Sequence, residues 1–298
     1  MTHSTIDRRE ALRLMGGGAL VLAGCSGPRD RIVVGSKNFT EQYLLGELLA
    51  QQIEAHTPLR VDRRLNLGGT FVCHQALVAG QLDLYVEYTG TALTAILAAP
   101  ASSDPPAVYQ AVRDSYRSRF GLEVGAPLGF NNTFAIVVRG GDAQELRLRA
   151  ISDLGRVAQR WRAGFGYEFM ERSDGYRGLA KAYGLQFGSE PRIMDLGLLY
   201  RALAERQVDV VAGNSTDGLI AALDMVVLED DRHYFPPYQA VAVVRAETLH
   251  RHPDLQAALD ALGGKISDDE MRRMNYAVDG RHREPASVVR EFRAAHAL

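Results

Sequence analysis

The sequence predicts an α/β fold of two units, each a mostly parallel sheet flanked by helices. Two observations carry that expectation. From Arg31 onward, short apolar or β-branched runs alternate with longer helical patterns, the order that strand–helix–strand units require. A weak internal echo also relates the two halves. Ala76-Leu77, Gln81-Leu82-Asp83-Leu84 and Tyr88-Thr89 fall 126 positions before Ala202-Leu203, Gln207-Val208-Asp209-Val210 and Asn214-Ser215. A chain of 298 residues, 46% hydrophobic and 23% charged, is long enough for two such cores.

The first thirty residues stand outside the alternation. Arg8-Arg9 precede an apolar run from Ala11 that ends in Leu22-Ala23-Gly24-Cys25. Charged region, hydrophobic region and small-residue cleavage site follow one another as in an export signal. The run falls short of the roughly 20 apolar residues that cross a bilayer, so residues 1–24 are expected to be removed and 25–30 to form a linker. Leu-Ala-Gly-Cys resembles the lipobox of bacterial lipoproteins, which implies acylation at Cys25 and an exported, membrane-anchored chain, periplasmic or at the cell surface. The paired arginines resemble a twin-arginine signal.

Strands are expected at 32–34, 59–65 and 82–86, and helices at 41–55, 69–79, after Thr89, and at 108–120. Thr40 is the expected N-cap of the first helix, and Pro58 separates that helix from the second strand. The apolar run 134–138 leads into further strands at 163–167, 192–194, 208–212 and 225–228, with a helix at 198–205 among the intervening segments. Ligands of open parallel sheets sit beyond the carboxyl ends of the strands. Tyr88 and Asn214 both fall there, so two facing lobes would place them on one cleft.

Charge and cysteine content narrow the function. The 34 basic and 36 acidic residues are mixed along the chain, so no nucleic-acid partner is expected. Only Lys37, Lys181 and Lys265 are lysines, and two cysteines, Cys25 and Cys73, exclude a disulfide scaffold. Cys73, His74, Asp83 and Glu87 lie close in sequence, as a nucleophile, base and acids would. However, Cys73 and His74 are neighbours pointing to different sides of a helix. No nucleophile elbow, metal-spaced cluster or P-loop is present. The expectation is no enzyme, no cofactor and no metal.

The polar and aromatic strand-end motifs point to solute binding. Lys37 lies in the turn Ser36-Lys37-Asn38-Phe39-Thr40 after the first strand. Asn66-Leu67-Gly68-Gly69-Thr70 is either a plain turn or a place where backbone N–H groups meet an anion at a helix start. Glu87-Tyr88-Thr89-Gly90-Thr91 offers a phenol and two hydroxyls. Phe134, the segment Glu168 to Gly175 with Arg172, the segment Asn214 to Gly218, and Phe235-Pro236-Pro237-Tyr238 supply rings, a guanidinium and hydroxyls. Aromatic faces attract quaternary ammonium groups, and arginine holds carboxylates through paired N–H···O bonds. Together they suit a small zwitterionic or cationic solute of betaine form. A ligand sensor that reports occupancy to a membrane partner is the alternative.

Taken together, SKNFTEQ at 36–42, NLGGT at 66–70, LDLYVEYTGT at 82–91, NNTFA at 131–135, STDG at 215–218 and FPPY at 235–238 resemble the glycine betaine, choline and related osmoprotectant-binding proteins of ABC importers. The resemblance runs from 31 to 298. It implies a two-lobed periplasmic-binding-protein fold with a ligand cleft between the lobes, lobe 1 from 31–133 and 239–298 and lobe 2 from 134–238. The cleft would close by hinge motion, and the partner would be an ABC permease in the membrane. The implied ligand residues are Lys37, Tyr88, Thr91, Phe134, Arg172, Asn214 and Tyr238, with Lys37, Thr91 and Arg172 addressing a carboxylate. Where the family shows four tyrosines this chain has Tyr88, Phe134, Asn214 and Tyr238. That departure implies weaker betaine binding, or a ligand that uses the Asn214 amide.

Overall fold

A computed structural model describes residues 31–298; the signal segment 1–24, the linker 25–30 and the acylation expected at Cys25 lie outside the described residues. Ten strands form two five-stranded sheets. They are β1 (Arg31–Gly35), β2 (Arg60–Arg64), β3 (Leu84–Tyr88), β4 (Leu122–Asn131), β5 (Phe134–Arg139), β6 (Ala163–Phe165), β7 (Arg192–Ile193), β8 (Val210–Asn214), β9 (Met225–Val227) and β10 (Gln239–Arg245). The first sheet runs β2-β1-β3-β10-β4 and the second β7-β6-β8-β5-β9.

Each sheet is covered on both faces, which explains the near-continuous apolar runs of its central strands. On one face of the first sheet lies α1 (Thr40–His56), whose Leu44, Leu45, Leu48, Leu49 and Ile53 recur at helical spacing and pack on Ile32, Val34 and Val86. On the other face α2 (Thr70–Val78) contributes Leu77 beside Val112, Tyr116 and Val243. The second sheet is likewise enclosed, by Phe165, Phe169 and Leu179 on one side and by Leu199, Tyr200 and Leu203 on the other.

The echo in the sequence has a structural counterpart. β3 ends on Tyr88 and β8 on Asn214, and the turn before each strand has the same bonds. Gln81 N donates to Ala76 O at 2.8 Å, and Gln207 N donates to Ala202 O at 2.9 Å. Both turns pass through the left-handed region, at Gly80 in one and Arg206 in the other. In both, the aspartate that follows accepts from the backbone of the neighbouring strand, Asp83 from Val33 N at 2.8 Å and Asp209 from Arg162 N at 3.0 Å.

The sheets are mixed, where mostly parallel pairing was the expectation. β1 pairs in parallel with β2 and β3, and β6 with β7 and β8. In contrast, β10 is antiparallel to β3 and β4, and β5 to β8 and β9. The cause is topological, because β5 and β10 are the strands that follow each passage of the chain between sheets. β4 and β10 also escape the sequence pattern. β4 carries Pro127 and two glycines, and its pairing with β10 is interrupted by register shifts, features that weaken a strand signature. At the start of α1 the N-cap is Phe39 rather than Thr40; the Thr40 hydroxyl donates to Asp279 at 2.5 Å instead.

The repeated architecture yields a paired test. Leu77 and Leu203 are equivalent and fully buried. Leu77→Ala and Leu203→Ala should each cost about 2–5 kcal/mol, read as a lowered denaturant midpoint.

Candidate functional site

The carboxyl ends of β1, β3 and β8 and the two passages between sheets converge on one cavity. Lys37, Tyr88, Thr91, Phe134, Arg172, Asn214 and Tyr238 all line it, together with Phe39, Asn132, Glu168, Phe169 and Leu196. Lys37 sits in the turn after β1, Tyr88 ends β3, and Thr91 closes the short helix Thr89–Thr91. Phe134 opens β5 directly opposite Asn214 at the end of β8. Arg172 follows the short helix Tyr167–Glu171, and Tyr238 precedes β10. Gly90 permits the close fit of Tyr238, since a Cβ there would lie 2.7 Å from its ring.

The rings are mutually braced. Phe134 meets Phe169 edge-on at 4.8 Å between centroids and Tyr238 at 5.9 Å, while Tyr88 stacks on Phe39 at 6.5 Å. The chain's own cations lie over these faces. The Arg172 guanidinium is 4.8 Å from the Phe134 centroid and 5.8 Å from that of Tyr238, and the Lys37 ammonium is 5.1 Å from Tyr88.

Both cations are paired internally. Lys37 Nζ donates to Glu87 Oε1 at 2.5 Å with both side chains almost fully buried. Arg172 donates through Nε and Nη2 to the two Asp174 oxygens at 2.8 and 2.5 Å, and through Nη1 to Thr91 Oγ1 at 3.1 Å. Of the five guanidinium hydrogens, three are used in these bonds. Asp174 also accepts from Tyr238 Oη at 2.6 Å and Thr94 Oγ1 at 2.8 Å. Burial pushes this carboxyl up, but the Arg172 bonds outweigh it and hold the group below the usual range.

Behind Tyr88, Glu41 is a buried hub. It accepts from Tyr88 Oη at 2.6 Å, Asn132 Nδ2 at 2.8 Å, Thr216 Oγ1 at 2.5 Å and Asn275 Nδ2 at 3.0 Å. Burial pushes its carboxyl up against the pull of those donors. Asn214 is fixed from behind by Asp217, which accepts its backbone N–H at 2.8 Å and lies 3.4 Å from its amide nitrogen. Its amide oxygen has no hydrogen-bond partner among the described residues. The anion at the Asn66–Thr70 turn is Glu168, which accepts from the backbone N–H of Thr70 and, at 3.4 Å, from its hydroxyl.

Cys73, His74 and Asp83 do not line the cavity. Burial pushes the Cys73 thiol up to about 12, His74 packs edge-on against Tyr116 and Phe120, and Asp83 accepts from Val33 and Thr248. Among the described residues no cluster of three metal-ligating side chains occurs. The counter-ions Glu87 and Asp174 and the wall residues Glu168, Phe39 and Asn132 fall inside motifs named from the sequence, but sequence reasoning assigned them neither role. A signal existed for Glu87, because a carboxylate inside a fully buried strand demands a cation.

Asp217 makes the site sensitive to acid. Burial pushes its carboxyl up to about 6 from 3.8. Between those values the folded chain retains a proton that the unfolded chain releases, so this residue's contribution to stability rises as pH falls through 6 and is complete below about 4. Asp217→Asn should remove that segment. Melting temperatures of the two proteins from pH 7 to 4 check it; a difference that is constant with pH would refute the assignment.

Comparison with known proteins places this geometry. A carnitine transport binding protein, OpuCC, of Listeria monocytogenes is 38% identical over 282 residues, covering 92% of this chain and 91% of that protein. A glycine-betaine-binding protein of Pseudomonas aeruginosa is 34% identical over 279 residues, covering 90% and 89%. A crystal structure of a glycine betaine/carnitine/choline ABC transporter component superposes with a TM-score of 0.74 at 37% identity, covering 89% of this chain and 98% of that one. The family is one of solute binding rather than catalysis. Residues 30–295 match the model of the substrate-binding domain of ABC-type glycine betaine transport systems, and the chain belongs to that family.

Proposed function

We propose that the protein captures a betaine-like quaternary ammonium solute outside the cytoplasmic membrane and delivers it to an ABC permease. The observation that carries this reading is the convergence of Tyr88, Phe134, Tyr238 and Arg172 on one cavity. A trimethylammonium group would rest on ring faces, each contact worth about 0.5–2 kcal/mol. A carboxylate would take the two remaining Arg172 hydrogens, with Thr91 and Lys37 alongside. The sheets would act as lobes, residues 31–133 with 239–298 in one and 134–238 in the other, closing as the solute binds. The free Asn214 oxygen favours a solute that carries a hydroxyl donor, which would compensate for the ring absent at this position.

Titration calorimetry with glycine betaine, carnitine and choline tests this. A hydroxylated solute should bind more tightly than glycine betaine, and Asn214→Tyr should raise glycine betaine affinity by about 2- to 30-fold. Binding of none of the three would sink the reading.

The segment before residue 31 completes the proposal. After removal of residues 1–24, acylated Cys25 would tether the domain to a membrane while the linker lets it reach the permease. Labelling with a radioactive fatty acid should mark the wild-type chain and not Cys25→Ser, which should appear in the soluble extracytoplasmic fraction. Equal labelling of both would exclude the tether.

A further inference from the structure

We propose that Glu168 is a closure latch, a positioning residue that caps α2 from the opposite side of the cleft and holds the two sheets together around the solute. This rests on the solute-capture reading above. The two equivalent helices, α2 and Leu196–Ala204, differ at their starts. Leu196–Ala204 caps itself, with Asp195 accepting from Gly197 N at 3.0 Å. The position 126 residues earlier is Gly69, which has no side chain to offer, and α2 lacks a cap of its own. The carboxylate that serves it comes from Glu168, which follows β6 of the other sheet. A Cβ built on Gly69 would overlap that carboxylate, so the absent side chain makes room for the partner from across the cleft. An anion at a helix start is doubly favoured, by the unpaired N–H groups and by the helix dipole.

Glu168 lies in the helix Tyr167–Glu171 packed on the second sheet and Thr70 in α2 packed on the first, so separating the sheets breaks the bond and returns both groups to water. The interaction stabilises the closed form alone, and ligand affinity scales with the population of that form. Glu168 also lines the cavity, whereas Gly69 does not. Gly69→Ala therefore blocks the seat without replacing any residue that lines the cavity, and the backbone there, φ −80°, accepts alanine.

The experiment uses the full chain carrying Cys25→Ser, with spin labels at Val78→Cys and Leu198→Cys, both exposed. Gly69→Ala and Glu168→Gln are each introduced, and glycine betaine, carnitine and choline serve as probes. Either variant should lengthen the distance between labels and weaken binding of whichever probe the parent binds by about tenfold, chiefly through faster release. The ligand-free melting temperature should stay within about 2 °C of the parent. The double variant should be no weaker than the worse single one, as expected for two halves of one contact. Unchanged label distances in Gly69→Ala, or additive losses in the double variant, would overturn the latch. If the parent binds none of the probes while the distances still lengthen, the latch stands and the solute assignment falls.

Discussion

Taking a guanidinium out of water costs several kcal/mol unless a carboxylate goes with it in good geometry. Arg172, with 4% of its side chain exposed, is met by Asp174 at 3%, and much of the cavity follows from that pair. The fork uses both carboxylate oxygens, so Asp174 must draw its further donors from the opposite wall, where Thr94 and Tyr238 provide them. Those bonds set the Tyr238 ring against Gly90 and Phe134, and the guanidinium lies over both rings. Lys37 and Glu87 repeat the solution at the other end beside Tyr88. Ring placement and charge compensation are thus one arrangement, and a substitution at either counter-ion would disturb the aromatic surface as well.

Much of the fold was legible from periodicity and repetition. The 126-residue echo located two strands whose last residues, Tyr88 and Asn214, face the same cavity. The strands that escaped were those whose chemistry departs from a clean pattern, β4 with its proline and glycines, and β10, whose run of small and branched residues follows a proline pair. Because both belong to antiparallel pairings of the first sheet, their absence from the sequence reading made that sheet look more uniformly parallel than it is. At the site, residues in recognisable turn motifs could be named in advance. Glu168 could not be given a role, because its partner Thr70 lies 98 positions away; Asp174 stands two residues from Arg172, but its other donors, Thr94 and Tyr238, lie 80 and 64 positions away, and no local pattern encodes them.

The repeat also shows how duplication of an architecture leaves room for division of labour. Equivalent turns, equivalent aspartates and equivalent strand ends persist in the two halves, while the cavity positions have diverged to a phenol in one and an amide in the other. The helix starts have diverged as well, one self-sufficient and one dependent. The two halves match where a side chain secures a turn or a sheet edge, and differ at Tyr88 and Asn214, which line the cavity.

The internal pairing of Lys37 and Arg172 has a consequence for the medium in which the protein works. A receptor that drew its solute with bare surface cations would lose attraction as salt accumulates, since the screening length falls from about 10 Å at 0.1 M to about 3 Å at 1 M. Here the charged groups of the cavity are buried, neutralised within a few ångströms and shielded from dissolved ions. Under the proposed function, affinity built on ring faces and enclosed ion pairs would depend little on ionic strength, which suits the capture of solutes when the surroundings turn saline.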